Sequence, residues 1–201
     1  MEDELQLVES MKQGDRDAFD RIYEKYCNQI LRMAYLIVGN RADSEDITQE
    51  TFIKCFLHCR ELKNNAGFKA WLYQILTRTA WNYGKKAARE YPDEEIEQTA
   101  ERTDGVSVLD VVVHKEQADE LYKAISRLDM KYRTMIVYYY YNQMSTREIA
   151  AACNCLEGTV KSRLFTARGQ LKKHLMKAEQ EVSQYEESEQ YGYANQPRTA
   201  Q

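Results

Sequence analysis

The sequence predicts an all-α protein made of two small helical domains, an N-terminal bundle and a C-terminal helix-turn-helix, joined by a flexible acidic linker. Three observations predict it. Glycine and proline are scarce, at 8 and 2 of 201 residues, while charged residues make up 30%. Apolar residues recur at three- and four-residue steps, the period of a helix burying one stripe. Charge falls in blocks that divide the chain. Residues 60–89 hold seven Lys or Arg against one Asp or Glu, and residues 142–177 hold seven against two. Between them, residues 90–120 hold eleven acidic against two basic. The expected boundaries are therefore a domain over 7–89, a linker over 90–115, a second domain over 116–177 and a polar tail over 178–201 that frays.

Each element follows from local chemistry. Gly14-Asp15 breaks the chain before Phe19, Ile22, Tyr23, Tyr26, Ile30, Met33, Ala34 and Ile37, which form one apolar stripe. Gly39-Asn40 stops that helix. A helix then starts in the acidic turn Asp43-Ser44-Glu45-Asp46, where negative charge suits the positive helix end, and carries Ile47, Phe52, Phe56 and Leu57. Asn64-Asn65-Ala66-Gly67 is a loop. From Phe68 a further helix runs through Trp71, Leu72, Ile75 and Leu76 to Lys85, Lys86 and Arg89. It sets Trp71, Tyr73, Trp81 and Tyr83 beside Arg78, Lys85, Lys86 and Arg89. Rings that stack bases next to cations that hold phosphates suit single-stranded DNA. From periodicity alone most of these aromatics read first as core, and the basic blocks could be ordinary solvated faces.

In the second half, Leu121, Ala124, Ile125 and Leu128 mark a helix from about Glu116. Another begins near Asp129 and carries Tyr132, Met135, Ile136, Val137, Tyr139 and Tyr140. Ser145 followed by Glu148 is a capping-box signature for a short helix over Ile149, Ala150 and Ala151. Asn154-Cys155 gives a turn, and a last helix runs from Glu157 to about His174 with Val160, Leu164, Ala167 and Leu171 inward. Its outer face shows Thr159, Lys161, Ser162, Arg163, Thr166 and Arg168. That is the plan of a helix-turn-helix, whose second helix enters the major groove. Lys161, Arg163 and Arg168 can bind phosphate or guanine, and Thr159 and Ser162 are short donors near the helix start.

Several function classes lose support. No run of about 18 apolar residues suggests a membrane span. The start Met1-Glu2-Asp3-Glu4 lacks the basic-then-apolar plan of a secretory leader, so a cytoplasmic location is expected. Five cysteines, Cys27, Cys55, Cys59, Cys153 and Cys155, show no recognised zinc spacing and read as small packed residues; metal or redox sensing stays open. There is no phosphate-cradling glycine loop, and His58, His114 and His174 offer no triad. No cofactor, metal or catalytic residue is expected.

Two segments resemble a known family, the extracytoplasmic-function sigma factors. The first joins Gly14-Asp15-Arg16-Asp17-Ala18-Phe19 to Ser44-Glu45-Asp46-Ile47-Thr48-Gln49-Glu50-Thr51-Phe52, then Phe68-Lys69-Ala70-Trp71-Leu72-Tyr73-Gln74-Ile75. The second is Ser145-Thr146-Arg147-Glu148-Ile149-Ala150, then Gly158-Thr159-Val160-Lys161-Ser162-Arg163-Leu164 and Ala167-Arg168. The resemblance spans roughly residues 7–176. It implies a subunit that catalyses nothing itself and directs RNA polymerase to promoters. Asp46, Gln49, Glu50 and Phe52 would dock on the clamp helices of the polymerase β′ subunit, with the β subunit as a further contact. Trp71, Tyr73, Arg78, Asn82, Tyr83, Lys85, Lys86 and Arg89 would engage the −10 element as it unpairs, with a loop around Tyr83–Tyr91 holding a flipped base. Thr159, Lys161, Ser162, Arg163, Thr166 and Arg168 would read the −35 duplex. The linker would thread the RNA path of polymerase, with Glu94, Glu95 and Glu97 mimicking nucleic acid. An anti-sigma protein is the implied inhibitor.

Four positions depart from the family pattern: Arg78 for a usual Asn, Asn82 for an Asp, Leu156 for a capping Ser, and Thr166 for an Arg. They bear on which promoter is read. Three other classes compete, of which an enzyme such as a small helical metal hydrolase lacks convincing ligands. A sigma-like decoy for an anti-sigma protein could dispense with Lys85, Lys86, Arg89, Lys161 and Arg163, all present here. A helix-turn-helix regulator would not need the Asp46–Phe52 and Trp71 motifs.

Overall fold

A computed structural model describes residues 3–90 and 115–194, with side chains at 3–86 and 120–177. Eight α-helices make up the described chain: α1 (Glu4–Lys12), α2 (Arg16–Val38), α3 (Arg41–His58), α4 (Phe68–Glu90), α5 (Lys115–Ser126), α6 (Met130–Ile136), α7 (Thr146–Ala152) and α8 (Glu157–Ala194). The acidic stretch expected as a linker, with Glu94, Glu95 and Glu97, lies outside the described residues.

Caps explain where the helices begin. Asp15 accepts from the backbone N–H groups of Asp17 and Ala18 and starts α2. Gly39 ends it in a left-handed conformation, φ +90°, with its N–H on the Tyr35 carbonyl. Asn40 then caps α3, which therefore opens at Arg41, ahead of the acidic turn. Helix α1 escapes periodicity because only Leu7, Val8 and Met11 are buried in its nine residues.

In the N-terminal half, α2 is the central helix. Ile22, Tyr26, Ile30, Met33, Ala34 and Ile37 are buried, as the stripe requires, against α1, α3 and α4. Tyr23 stays exposed. On α3 the expectation fails in part: Phe56 and Leu57 face outward, and the buried positions are Ser44, Ile47, Thr48, Thr51, Phe52 and Cys55.

In the C-terminal half, α5, α6 and α7 pack on α8. The capping box at the start of α7 forms in full: Glu148 N–H donates to Ser145 Oγ at 3.2 Å, and Ser145 N–H donates to Glu148 at 2.8 Å. After α6 the chain widens into one π-type turn over Val137–Tyr141, closed by Asn142 N–H on the Val137 carbonyl. Gln143 and Asn154 take positive φ, +51° and +49°, and the second makes the turn between α7 and α8. Helix α8 does not stop near His174. It continues to Ala194, a span of about 57 Å at 1.5 Å per residue, so the expected fraying tail is helical over most of its length.

The halves are not separate bodies. One continuous buried cluster runs from Leu7 through Ala167, and α4 packs on α7 and α6. Hydrogen bonds line the seam, among them Trp81 indole N–H to Thr134 at 3.0 Å and Arg133 to the Ile37 carbonyl at 2.8 Å.

Candidate nucleic-acid interface

Three surfaces carry the residues that the sequence singles out. The first is the outer edge of α3. Asp46 and Gln49 are exposed, and Glu50 is half-exposed with a 2.5 Å ion pair to Lys54. Phe52 does not belong with them. It is 3% exposed, with its ring 4.8 Å from Tyr23 and 6.5 Å from Phe19. It lies four residues past Thr48 and three before Cys55, so it joins the buried Thr48–Cys55 stripe of α3. Its neighbour Ile53 takes the outward place at 58% exposed, with Leu57 a turn on. The series Asp46, Gln49, Ile53, Leu57 therefore forms one acidic-then-apolar edge. Sequence reasoning missed Ile53 and Leu57 because an apolar residue was read as core by default; the four-residue step from Gln49 was the available signal.

The second surface is α4. Arg78, Asn82 and Lys85 recur at helical spacing and are exposed, with Lys86 beside them. Trp71, seven residues before Arg78, is half-buried on the same stripe, its ring 6.1 Å from Phe68. Tyr83 is half-buried. Its hydroxyl is pushed up from the ordinary tyrosine value by burial, then by Glu50, Asp46 and Asp43. The acidic edge of α3 and the cationic stripe of α4 are thus neighbours. Tyr73 is not on the stripe. It is fully buried against Tyr138, ring centroids 6.0 Å apart. Trp81 is half-buried and donates its indole N–H to Thr134 at 3.0 Å. The proposed base-holding loop is not a loop: residues 83–90 continue α4, and Tyr91 lies outside the described residues. The side chain of Arg89 also lies outside them.

The third surface is the start of α8. Leu156 sits at the helix-start position, its carbonyl accepting from Thr159 N–H at 2.9 Å, and is 79% exposed. Thr146 Oγ1 donates to Glu157 at 2.8 Å, holding the start of α7 against the start of α8. Lys161 and Ser162 are exposed, and Thr159, Arg163 and Thr166 are half-exposed. Lys161 pairs with Glu157 at 2.9 Å on the surface, a contact weak enough to yield to a phosphate. The hydrogen bonds from Lys161 and Thr146 hold the Glu157 carboxyl below the usual carboxylate range. Arg168 is exposed yet engaged: its Nε donates to Tyr140 at 2.9 Å and its guanidinium lies 5.3 Å from the Tyr139 ring. Phe165, which the sequence reading passed over, stands 80% exposed between Lys161 and Arg168. A large ring on an otherwise polar helical face was the signal. No group of three or more His, Cys, Asp or Glu placed to hold a metal occurs among the described residues. Burial pushes the thiols of Cys55 and Cys153 up to about 12.

Comparison with known proteins fits this geometry. Residues 22–90 match Sigma-70 region 2, and residues 118–171 match Sigma-70, region 4. Together these are the two halves of a sigma-type initiation factor. The ECF RNA polymerase sigma factor SigW of Bacillus subtilis is 36% identical over 84% of this chain and 94% of its own length. The RNA polymerase sigma-H factor of Pseudomonas aeruginosa is 32% identical over 87% of this chain and 94% of its own. Among solved structures, the sigma factor RpoE in complex with the anti-sigma factor NepR from Bartonella quintana matches with a TM-score of 0.60 at 26% identity, covering 79% of this chain and 96% of that one. The chain belongs to the extracytoplasmic-function RNA polymerase sigma factors, and it is a promoter-recognising transcription initiation factor.

Proposed function

We propose that the three surfaces divide the work of initiation. The outer edge of α3, Asp46, Gln49 and Glu50 with Ile53 and Leu57 added, docks on the β′ clamp helices of core polymerase. Mixed acid and apolar exposure on one helix edge supports this, because an exposed apolar row beside charge is the anatomy of a partner surface. The β subunit is the further contact on polymerase. The α4 stripe of Trp71, Arg78, Asn82, Tyr83, Lys85, Lys86 and Arg89 takes the −10 strand as it unpairs. The α8 face reads the −35 duplex. Arg163 is placed to bond a base edge, Lys161 a phosphate, and Thr159, Ser162 and Thr166 supply short hydroxyls. Phe165 offers an apolar contact for a thymine methyl.

The single observation that carries this reading is the pair of solvent-facing cationic helix faces, on α4 and on α8, in one chain with an acidic helix edge beside the first. The chain then acts by binding and positions no catalytic group. The linker residues Glu94, Glu95 and Glu97 occupy the RNA path, and neutralising them alters the pattern of abortive transcripts. An anti-sigma protein that covers these surfaces is the natural regulator; the similar sigma factor RpoE is solved in complex with the anti-sigma factor NepR. A cytoplasmic location follows from the polymerase role; no helix among the described residues is long and apolar enough to cross a membrane.

Run-off transcription with purified core polymerase on a promoter library tests it. Addition of the protein should select a family of promoters with two conserved blocks. Capture of an anti-sigma protein with no initiation from any promoter would replace this reading with that of a decoy.

A further inference from the structure

Arg168, on the DNA-reading face of α8, is held by side chains of another element. Lys161, Phe165 and Arg168 follow one another at four- and three-residue steps, so they form a row on one side of the helix. Arg168 lies about 10 Å beyond Lys161 along the axis, at 1.5 Å per residue. Lys161 has a surface ion pair with Glu157 of its own helix. Arg168 instead donates its Nε–H to the Tyr140 hydroxyl at 2.9 Å. Its guanidinium carbon stands 5.3 Å from the centre of the Tyr139 ring and 5.7 Å from that of Tyr140, within the range of cation–π attraction. The two rings meet edge to face, 5.0 Å apart at 75°. Consecutive side chains on an ordinary helix diverge by about 100°. Tyr139 and Tyr140 lie in the π-type turn Val137–Tyr141, whose wider coil narrows that angle and lets both rings reach one cation. Tyr140 is 54% exposed, so core packing is a small part of what its ring does.

We propose that Tyr139 and Tyr140 are positioning residues for −35 reading: they brace Arg168 so that its terminal nitrogens bind a phosphate of the upstream duplex and set the register in which Arg163 meets a base. The inference rests on the promoter-reading role proposed above and adds two residues to it. The chemistry of the guanidinium carries it. Arginine has five N–H donors. Tyr140 takes the one on Nε, and the four on the terminal nitrogens keep the fork that matches two oxygens of a phosphate. An exposed arginine is flexible along its whole side chain, and ordering it on DNA costs rotamer freedom. A guanidinium already held by a hydroxyl and two ring faces has given up much of that freedom before DNA arrives, so less is lost on binding. A phosphate contact carries no sequence by itself, but it fixes how the helix sits in the groove. Tyr139 and Tyr140 act through Arg168 and need touch no nucleotide.

Holoenzymes assembled from core polymerase and full-length variants test the brace, binding a labelled fragment of a promoter selected by run-off transcription. The variants are Tyr140→Phe, Tyr139→Leu and Arg168→Ala, and each tyrosine change combined with Arg168→Ala. Tyr140→Phe removes the hydroxyl and keeps the ring. It should bind several-fold more weakly than wild type, the effect of one lost hydrogen bond, with an unchanged melting temperature of the free protein. Arg168→Ala should bind more weakly still and lower the slope of log affinity against log salt by about 1. Tyr139→Leu should weaken binding while Arg168 is present. Neither tyrosine change should weaken binding further once Arg168 is Ala, since a brace with nothing to hold contributes nothing. A merely structural role for the tyrosines would persist in that background. Tyr140→Phe binding as tightly as wild type, losses that add in the combined variants, or an unchanged salt slope for Arg168→Ala would each overturn the brace and leave promoter reading intact. A wild type that directs initiation from no promoter would overturn the promoter-reading role and the brace with it.

Discussion

Helices α4 and α8 were both read as DNA-facing from their aromatics and cations, yet the protein treats them differently. The α8 face is displayed: Leu156, Lys161, Ser162 and Phe165 stand in solvent, and the apolar residues Val160, Leu164 and Ala167 lie wholly behind. On α4 the cations are displayed, but Tyr73 is core and Trp71, Trp81 and Tyr83 are half-covered. A helix at the rim of a domain can give one full face to a ligand. A helix in the middle of a fold, packed by α3 on one side and by α6 and α7 on another, has only a strip to spare. Aromatic content therefore says less about binding on α4 than on α8.

The sharpest way to break that contrast lies on α3, where the same ambiguity arises side by side. Phe52→Ala should destabilise the protein by about 3–5 kcal/mol, the range for truncating a buried Phe, measured by chemical denaturation. Ile53→Ala, one residue on and exposed, should leave stability nearly unchanged and weaken core polymerase binding. Equal losses of stability would erase the distinction between core and surface drawn here. Next in size, Arg163→Ala should weaken binding to the upstream duplex by about 1–3 kcal/mol and relax preference at one base position. A footprint identical to wild type would remove Arg163 from the reading face.

Smaller effects concern how the α8 face is held. Ser145→Ala should lower stability by about 1 kcal/mol through loss of the α7 cap, without altering which promoter is chosen. A changed promoter preference would mean that the cap does more than hold α7 in place. The smallest effect is in pH. Hydrogen bonds from Ser145 hold the Glu148 carboxyl below its ordinary value of 4.5. For Glu4, burial pushes the other way but is outweighed by Lys25 and Tyr26, so it too sits low. A lowered folded value means stability that is complete above the ordinary value and lost as pH falls through the folded one. Urea midpoints should hold steady from about pH 7 to 5 and fall below about 4.5. Glu148→Gln should show a shallower fall, and an unaltered acid slope would show that Glu148 contributes nothing to it.

Much of this was legible in the sequence, for identifiable reasons. The α2 stripe from Ile22 to Ile37, the Gly39 stop and the Ser145–Glu148 box each express a single local rule, and each formed as read except that Tyr23 faces outward. The α8 face was legible because its apolar positions are few and regular. What escaped was set by packing. Phe52 and Ile53 are adjacent and both apolar; only the docking of α3 on α2, with Phe19 and Tyr23 as neighbours, decides which turns inward. The assignment of Tyr73 and Trp81 depended on Tyr138 and Thr134, more than fifty residues away. The seam itself, with Arg133 bonded to the last turn of α2, has no signature in either half taken alone. The continuation of α8 to Ala194 was missed because its polar composition was read as a fraying tail.

The central claim is that the exposed edge of α3 joins this chain to the transcription machinery. Equilibrium binding to purified core polymerase tests it most directly, comparing wild type with the double variant Asp46→Ala and Gln49→Ala. The account predicts a stable complex for wild type and at least about a tenfold weaker one for the variant, about 1.4 kcal/mol, with an unchanged melting temperature. A wild-type protein that never associates with core, or a variant that binds as tightly as wild type, would contradict it.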